Sequence, residues 1–184
     1  MSDDDSDRNF DDLAEKFSRK VYGGLKGDIR LAVIRRDLYT AIAGITGARS
    51  LRILDVGGGL GQHSVELAKL GHWVVYSDIS SVMCDAAREH ARDQQVEQQI
   101  QWHCASYQQL SELIDEKFDL VMCHALIEWL AKPTLLIPQL RTWIDCNGWL
   151  SLTFYNRNGL DYRNLIRGNF HALERQFSAD RGSL

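Results

Sequence analysis

The chain has 184 residues, 45% of them hydrophobic and 25% charged, with a formal net charge of −4. Those values suit one domain with a single real core. No apolar run is long enough to span a bilayer and no basic-then-apolar signal opens the chain, so a cytoplasmic protein is expected. The charge is unevenly placed: residues 1–12 hold six aspartates and one arginine, a net of −5, which leaves +1 for the remainder, so the acidic total does not exclude a polyanionic partner.

In chain order, residues 1–9, with Asp3-Asp4-Asp5-Ser6-Asp7, read as a disordered, solvated acidic tail. Residues 10–48 read as an N-terminal helical lid. Phe10, Leu13, Ala14 and Phe17 share one helical face. The string Tyr22-Gly23-Gly24-Leu25-Lys26-Gly27 breaks that pattern, and a second helix is expected from Asp28, an N-cap candidate, to about Ile45. From 49 to 177 the pattern alternates. Strands are expected at about 51–56, 73–77, 100–104, 118–123 and 149–155, and helices at about 62–70, 80–93, 107–114 and 133–144, the last ending on Asn147-Gly148 as C-cap and turn. Such alternation predicts an α/β fold, a mostly parallel sheet with helices on both faces. The tryptophans Trp73, Trp102, Trp129, Trp143 and Trp149 are expected mostly in the core. Cys84, Cys104, Cys123 and Cys146 show no C-x-x-C spacing, and no H-E-x-x-H is present; no metal site is expected, and the thiols read as small packing residues.

The stretch from Leu51 to Gly61, Leu-Arg-Ile-Leu-Asp-Val-Gly-Gly-Gly-Leu-Gly, carries the chemistry. An apolar strand runs into a glycine loop and then a helix, and glycines let the backbone turn tightly and approach a ligand. The spacing of Gly57, Gly59 and Gly61 is G-x-G-x-G; a dinucleotide fingerprint would need a glycine where Gln62 stands. Asp55, just before the loop, would repel a diphosphate and suits a cationic or polar ligand. A second strand ends in Asp78, where a carboxylate can accept both hydroxyls of a ribose; ligands of open α/β sheets sit outside the carboxyl ends of the strands. This order of strand, acid, loop, helix, strand and acid resembles the S-adenosylmethionine loop of the class I methyltransferases.

Four further strings narrow the resemblance: Arg8-Asn9-Phe10-Asp11-Asp12 with Ala14-Glu15-Lys16-Phe17-Ser18-Arg19; Tyr22-Gly23 with Lys26-Gly27 and Arg30; His124-Ala125-Leu126-Ile127-Glu128-Trp129; and Phe154-Tyr155-Asn156 with Gly159-Leu160 and Gly168-Asn169-Phe170. Together they look like the bacterial tRNA 5-carboxymethoxyuridine methyltransferases, which esterify the carboxylate of a modified wobble uridine. The resemblance runs from Arg8 to Phe170. It implies a Rossmann-like class I methyltransferase fold, here expected to lack the C-terminal antiparallel strand pair, with S-adenosylmethionine as cofactor and the tRNA anticodon arm as partner, and with no metal or membrane. It also implies six cofactor contacts. Arg30 would meet the cofactor carboxylate, Gly57 and Gly58 would line the methionine moiety, and Asp78 would hold the ribose. Ser106 would lie against the adenine and His124 beside the transfer site.

A carboxylate acceptor is already ionised near neutral pH, so no general base is required, and the lack of an evident catalytic dyad fits that reaction. No residue is assigned a catalytic role. A cation suited to hold the acceptor is sought among Arg157, Arg163 and Arg167. tRNA phosphates would meet these or the cluster Arg8, Lys16, Arg19, Lys20 and Lys26, with the wobble base entering beside His124 and Tyr155. Alternatives on the residues alone are a small-molecule methyltransferase and an inactive cofactor-binding fragment; an NAD oxidoreductase is disfavoured by Gln62 and Asp55.

Overall fold

Five strands build the centre of the molecule: β1 (Arg52–Val56), β2 (Trp73–Asp78), β3 (Ile100–Cys104), β4 (Phe118–His124) and β5 (Ile144–Thr153). The computed structural model describes Asp7 and residues 24–42, 44–47 and 49–171. The chain divides into two units, one ending at Thr153 and the other beginning at Phe154.

In the first unit the strands lie in the order β3-β2-β1-β4-β5, every pairing parallel. The helix α1 (Leu25–Ala41) precedes β1, and between the strands run α2 (Gln62–Lys69), α3 (Ser81–Asp93), α4 (Tyr107–Leu113) and α5 (Leu136–Trp143). The strand alternation explains the layering. Ile53, Val74, Tyr76, Leu120 and Met122 point to one face and pack with residues of α1, α2 and α3, whereas Leu54, Val56, Val75, Val121 and Cys123 point to the other and pack with α4 and α5. Both faces of each central strand are apolar, as a parallel sheet covered on two sides requires. The strand order reverses between β1 and β4, which opens a crevice at their carboxyl ends.

Local chemistry sets the helix starts. Ser80 caps α3 by accepting from the Met83 amide, and Ser106 closes a capping box with Gln109 at the start of α4. The helix expected from Asp28 begins earlier, at Leu25, because Gly24 adopts a φ of 73° and its carbonyl accepts the amides of Gly27 and Asp28. It ends at Ala41, short of Ile45. Its buried side is Ile34 and Leu38, while Ile29 and Val33 face solvent. Arg35 pairs with Glu66 of α2 and the Tyr39 hydroxyl donates to the same carboxylate at 2.9 Å; burial and that bond push the Tyr39 phenol up to about 12. The helix expected over Phe10–Phe17 lies outside the described residues.

Asn147-Gly148 does not end a helix. The α5 helix stops at Trp143 and β5 begins at once. Phe118 pairs with Ile144 and Leu120 with Trp149, so the four residues Asp145 to Gly148 bulge opposite Asp119 alone. Of the five tryptophans only Trp143 is fully buried; Trp73, the first residue of β2, is 41% exposed, and Trp149, just after the bulge of the outermost strand β5, is 46% exposed. Cys84 and Cys123 are buried, Cys104 and Cys146 exposed. Among the described residues no helix is long and apolar enough to cross a membrane.

The second unit contains α6 (Arg157–Ile166). Asn156 caps it, its side-chain oxygen accepting from the amides of Asn158 and Gly159. Tyr162, Leu165 and Ile166 are exposed, as are Arg163 and Arg167.

Candidate functional site

A cleft opens at the carboxyl ends of the strands, and the glycine loop after β1 forms its floor. The loop is fixed by β2: the amides of Gly57 and Gly58 both donate to the Ser77 carbonyl, at 2.8 and 3.0 Å. The Gly59 amide donates to Asp78 Oδ2 and the Ser80 amide to Oδ1, each at 2.9 Å. Three successive loop amides are therefore committed to the end of β2. A diphosphate site needs converging amides that point at the ligand, and the first three amides of this loop point to β2 instead.

Gly57, Asp78, Ser106 and His124 all stand on the cleft wall, with Gly59, Ser77, Ala105 and Tyr107 beside them. Gly58 stands behind it. A Cβ there would lie 2.5 Å from Tyr76 Cε2 and 3.0 Å from Asp55 Oδ2, so the missing side chain lets the loop rest on the Tyr76 ring, whose hydroxyl donates to the Gly59 carbonyl. Arg30, on α1, is not on the wall; its charge reaches Glu128, whose carboxyl is held above its usual range by burial while Arg30 pulls it down. Both carboxyl oxygens of Glu128 are buried, and among the described residues no other residue donates a hydrogen bond to them.

Asp55 does not face the cleft. It points into the layer between the sheet and α2, is 4% exposed, and accepts the Ser64 hydroxyl at 2.6 Å. Burial raises its pKa to about 6 against the pull of Ser64, and the charge of Asp78 adds to the rise. Asp55 thus anchors α2 beneath the loop, and no ligand group can reach it directly.

His124 ends β4. Its Nε2 lies 2.8 Å from Ser151 Oγ, its buried Nδ1 has no partner, and its ring meets that of His63 edge to face at 5.3 Å. Burial, then the neighbouring His63, lowers its pKa to about 3; burial lowers His63 as well. Both imidazoles are neutral near pH 7. The next residue, Ala125, holds a φ of 54°, a region costly for a residue with a Cβ. Its amide donates to the Thr153 carbonyl at 2.9 Å, and the turn sends Leu126, Trp129 and Leu130 across the cleft.

Asp7 also lines the cleft, and sequence reasoning passed over it as part of a solvated run. Its Oδ2 accepts Gln108 Nε2 at 2.7 Å and its Oδ1 accepts the Ala131 amide at 2.9 Å. Among the described residues of the wall there is no lysine or arginine; the charged groups are the carboxylates of Asp7 and Asp78. With neutral His124 and three loop amides turned to β2, this cleft repels a diphosphate and suits a ligand carrying positive charge and a ribose, such as the sulfonium nucleoside S-adenosylmethionine. Among the described residues no three His, Cys, Asp or Glu side chains gather as metal ligands.

Comparison with known proteins agrees. The chain is 42% identical over 165 residues to the tRNA 5-carboxymethoxyuridine methyltransferase of Escherichia coli, an alignment covering 89% of this chain and 62% of that protein. It therefore spans less than two thirds of that relative's length. It is 34% identical over 116 residues to a ubiquinone biosynthesis O-methyltransferase of Coxiella burnetii, covering 63% of this chain and 48% of the relative. In fold it resembles the magnesium protoporphyrin IX methyltransferase of Synechocystis with bound SAH, with a TM-score of 0.64 at 24% identity, over 86% of this chain and 75% of that one. The family model described as a methyltransferase domain matches residues 54–152, and with the parallel five-stranded sheet around the glycine loop this shows that the chain belongs to the methyltransferase domain family and has its Rossmann-like class I fold.

Proposed function

We propose that this chain is an S-adenosylmethionine-dependent methyltransferase that esterifies the carboxylate of 5-carboxymethoxyuridine at the wobble position of tRNA. The observation that carries the reading is the character of the cleft: a carboxylate at the end of β2, a wall without lysine or arginine among the described residues, and a histidine held neutral. The 42% identity to the Escherichia coli enzyme supports the choice of acceptor.

When bound, S-adenosylmethionine supplies an electrophilic methyl group. Asp78 accepts the ribose hydroxyls at the end of β2. Gly57 lets the backbone approach the methionine end while Gly58 seats the same loop on Tyr76 behind it, Ser106 lies against the adenine, and Arg30, on a lid that includes α1, pairs with the amino-acid carboxylate. His124 borders the transfer site. With a pKa near 3 it is a poor base, and none is needed, since the acceptor is ionised near neutral pH. The work left to the protein is positioning and exclusion of water. The anticodon arm is the substrate, its phosphates neutralised by basic clusters, and a tRNA substrate puts the reaction in the cytoplasm. Of those clusters, Arg8, Lys16, Arg19 and Lys20 lie outside the described residues; Lys26, Arg163 and Arg167 are exposed.

The test is mass spectrometry of tRNA nucleosides after incubation with the protein and methyl-labelled cofactor. Label in the methyl ester of 5-carboxymethoxyuridine is expected. Cofactor binding without labelled tRNA would refute the tRNA reading and leave a small-molecule methyltransferase or an inactive cofactor-binding fragment.

A further inference from the structure

Resting on the reading of the cleft as an S-adenosylmethionine site, we propose that Asp7 is a cofactor-recognition residue, the acceptor for the exocyclic amino group of the adenine.

Three observations place it there. The first is direction. Asp78 pairs with Cys104 across β2 and β3, and the Ala105 amide donates to the Asp78 carbonyl at 2.9 Å. From a ribose on Asp78, the wall continues through Ala105, Ser106 and Tyr107 into α4, and a base extending from that ribose follows it. Asp7 stands at the far end of this path, its carboxylate fixed to Gln108 in the first turn of α4.

The second is supply and demand. Between Asp78 and Asp7 this wall is Ile79, Met83, Ala105, Ser106 and Tyr107, apolar or neutral, and it grips a flat ring without reading its edge. The Ser106 hydroxyl oxygen already accepts the Gln109 amide and its own amide donates to Gln109 Oε1; the one lone pair left on that neutral oxygen makes a weaker acceptor than a carboxylate. An adenine edge presents an N–H donor that needs an acceptor once water is excluded, and an ionised carboxylate is acceptor only. Its two oxygens have about four lone-pair directions; Gln108 and Ala131 take one on each oxygen, so each oxygen keeps one for a ligand.

The third is rigidity. Asp7 bonds α4 on one side of the cleft and the segment after β4 on the other, next to Tyr107 and Leu130 of the wall. A carboxylate held at both oxygens is fixed before the ligand arrives, which lowers the ordering cost of recognition. Its charge is also felt at the Tyr107 phenol, which burial and Asp7 together raise.

Calorimetry of the full chain with S-adenosylhomocysteine and with its deaminated analogue S-inosylhomocysteine, which carries an oxygen in place of the amino group, tests the assignment. The wild-type protein should prefer the adenosyl ligand by roughly tenfold or more, the worth of a hydrogen bond to a charged group. Asp7→Ala should weaken adenosyl binding by roughly 10- to 100-fold, leave inosyl binding nearly unchanged, and so abolish the preference. Gln108→Ala, which removes one tether and keeps the carboxylate, should retain it. Equal loss of both ligands in Asp7→Ala, or loss of the preference in Gln108→Ala as well, would overturn the proposal by making Asp7 a strap alone. Unchanged binding in Asp7→Ala would overturn it too. A wild-type protein that binds neither ligand would overturn it together with the cofactor reading, a failure distinct from the other three.

Discussion

Asp55 offers a clean test of how the glycine loop is supported. Its carboxyl is buried behind Gly58, and its pKa in the fold is about 6 against an ordinary 3.8. The folded state therefore binds this proton more tightly than the unfolded chain does. The sign follows from linkage: where the folded state carries more protons, stability falls as pH rises. The contribution is complete below about pH 4 and is lost as pH climbs through about 6. A shift of about 2 units at 1.36 kcal/mol each makes the full swing about 3 kcal/mol. In Asp55→Asn the side-chain oxygen can still accept from Ser64 while the titration disappears. Any packing cost of the new amide is the same at every pH. Urea unfolding followed by circular dichroism, repeated in steps from about pH 4 to about pH 7, gives the variant-minus-wild-type difference at each pH. That difference should rise by about 3 kcal/mol in favour of the variant across the window. A flat difference would mean that Asp55 carries no raised pKa and that its burial with Ser64 has been misjudged.

Three further outcomes are expected. Asp78→Ala should weaken S-adenosylhomocysteine binding by about 1–3 kcal/mol in calorimetry; because Asp78 also receives the Gly59 and Ser80 amides, a melting curve must accompany it, and unchanged affinity in a folded variant would remove Asp78 from the ribose. Gly58→Ala should destabilise by about 1–3 kcal/mol, the usual cost of overpacking, since the new methyl would overlap a Tyr76 ring that is fully buried; an unaltered melting temperature would show that the loop can lift. Changing Arg163 and Arg167 together to Ala should flatten the salt dependence of tRNA affinity, by roughly 0.7–0.9 in slope for each phosphate no longer neutralised, and leave cofactor affinity intact; an unaltered slope would make α6 a solvated helix face.

The sheet and its helices were legible because the central strands β1, β2 and β4 are short, largely apolar runs closed by a turn or a cap, and Ser80 and Ser106 sit where caps are expected. What was not legible depends on partners distant in sequence. Asn147-Gly148 has the local chemistry of a helix end, but pairing with β4 turns it into a bulge. Asp55 sits on a strand buried on both faces, where alternation cannot say which acid meets the cleft and which meets Ser64. Four of the six expected cofactor positions fell on the cleft wall because strand ends converge there. Gly58 looked like its neighbours, and only the Tyr76 ring beneath it tells them apart. Asp7 bonds residues 101 and 124 positions away, and no local pattern announces such a pairing.

The Tyr76 side chain has an optical consequence. It touches the glycine loop through its hydroxyl and ring, and on its other side it packs against Trp102 with ring centroids 5.0 Å apart, while the Arg88 guanidinium lies 5.6 Å from the Trp102 ring. A tyrosine this close transfers its excitation to the indole, and a nearby guanidinium shifts the indole's emission. Any displacement of this loop would therefore reach a fluorophore outside the cleft, so the emission of Trp102 reports whether the loop stays fixed when the cleft is filled.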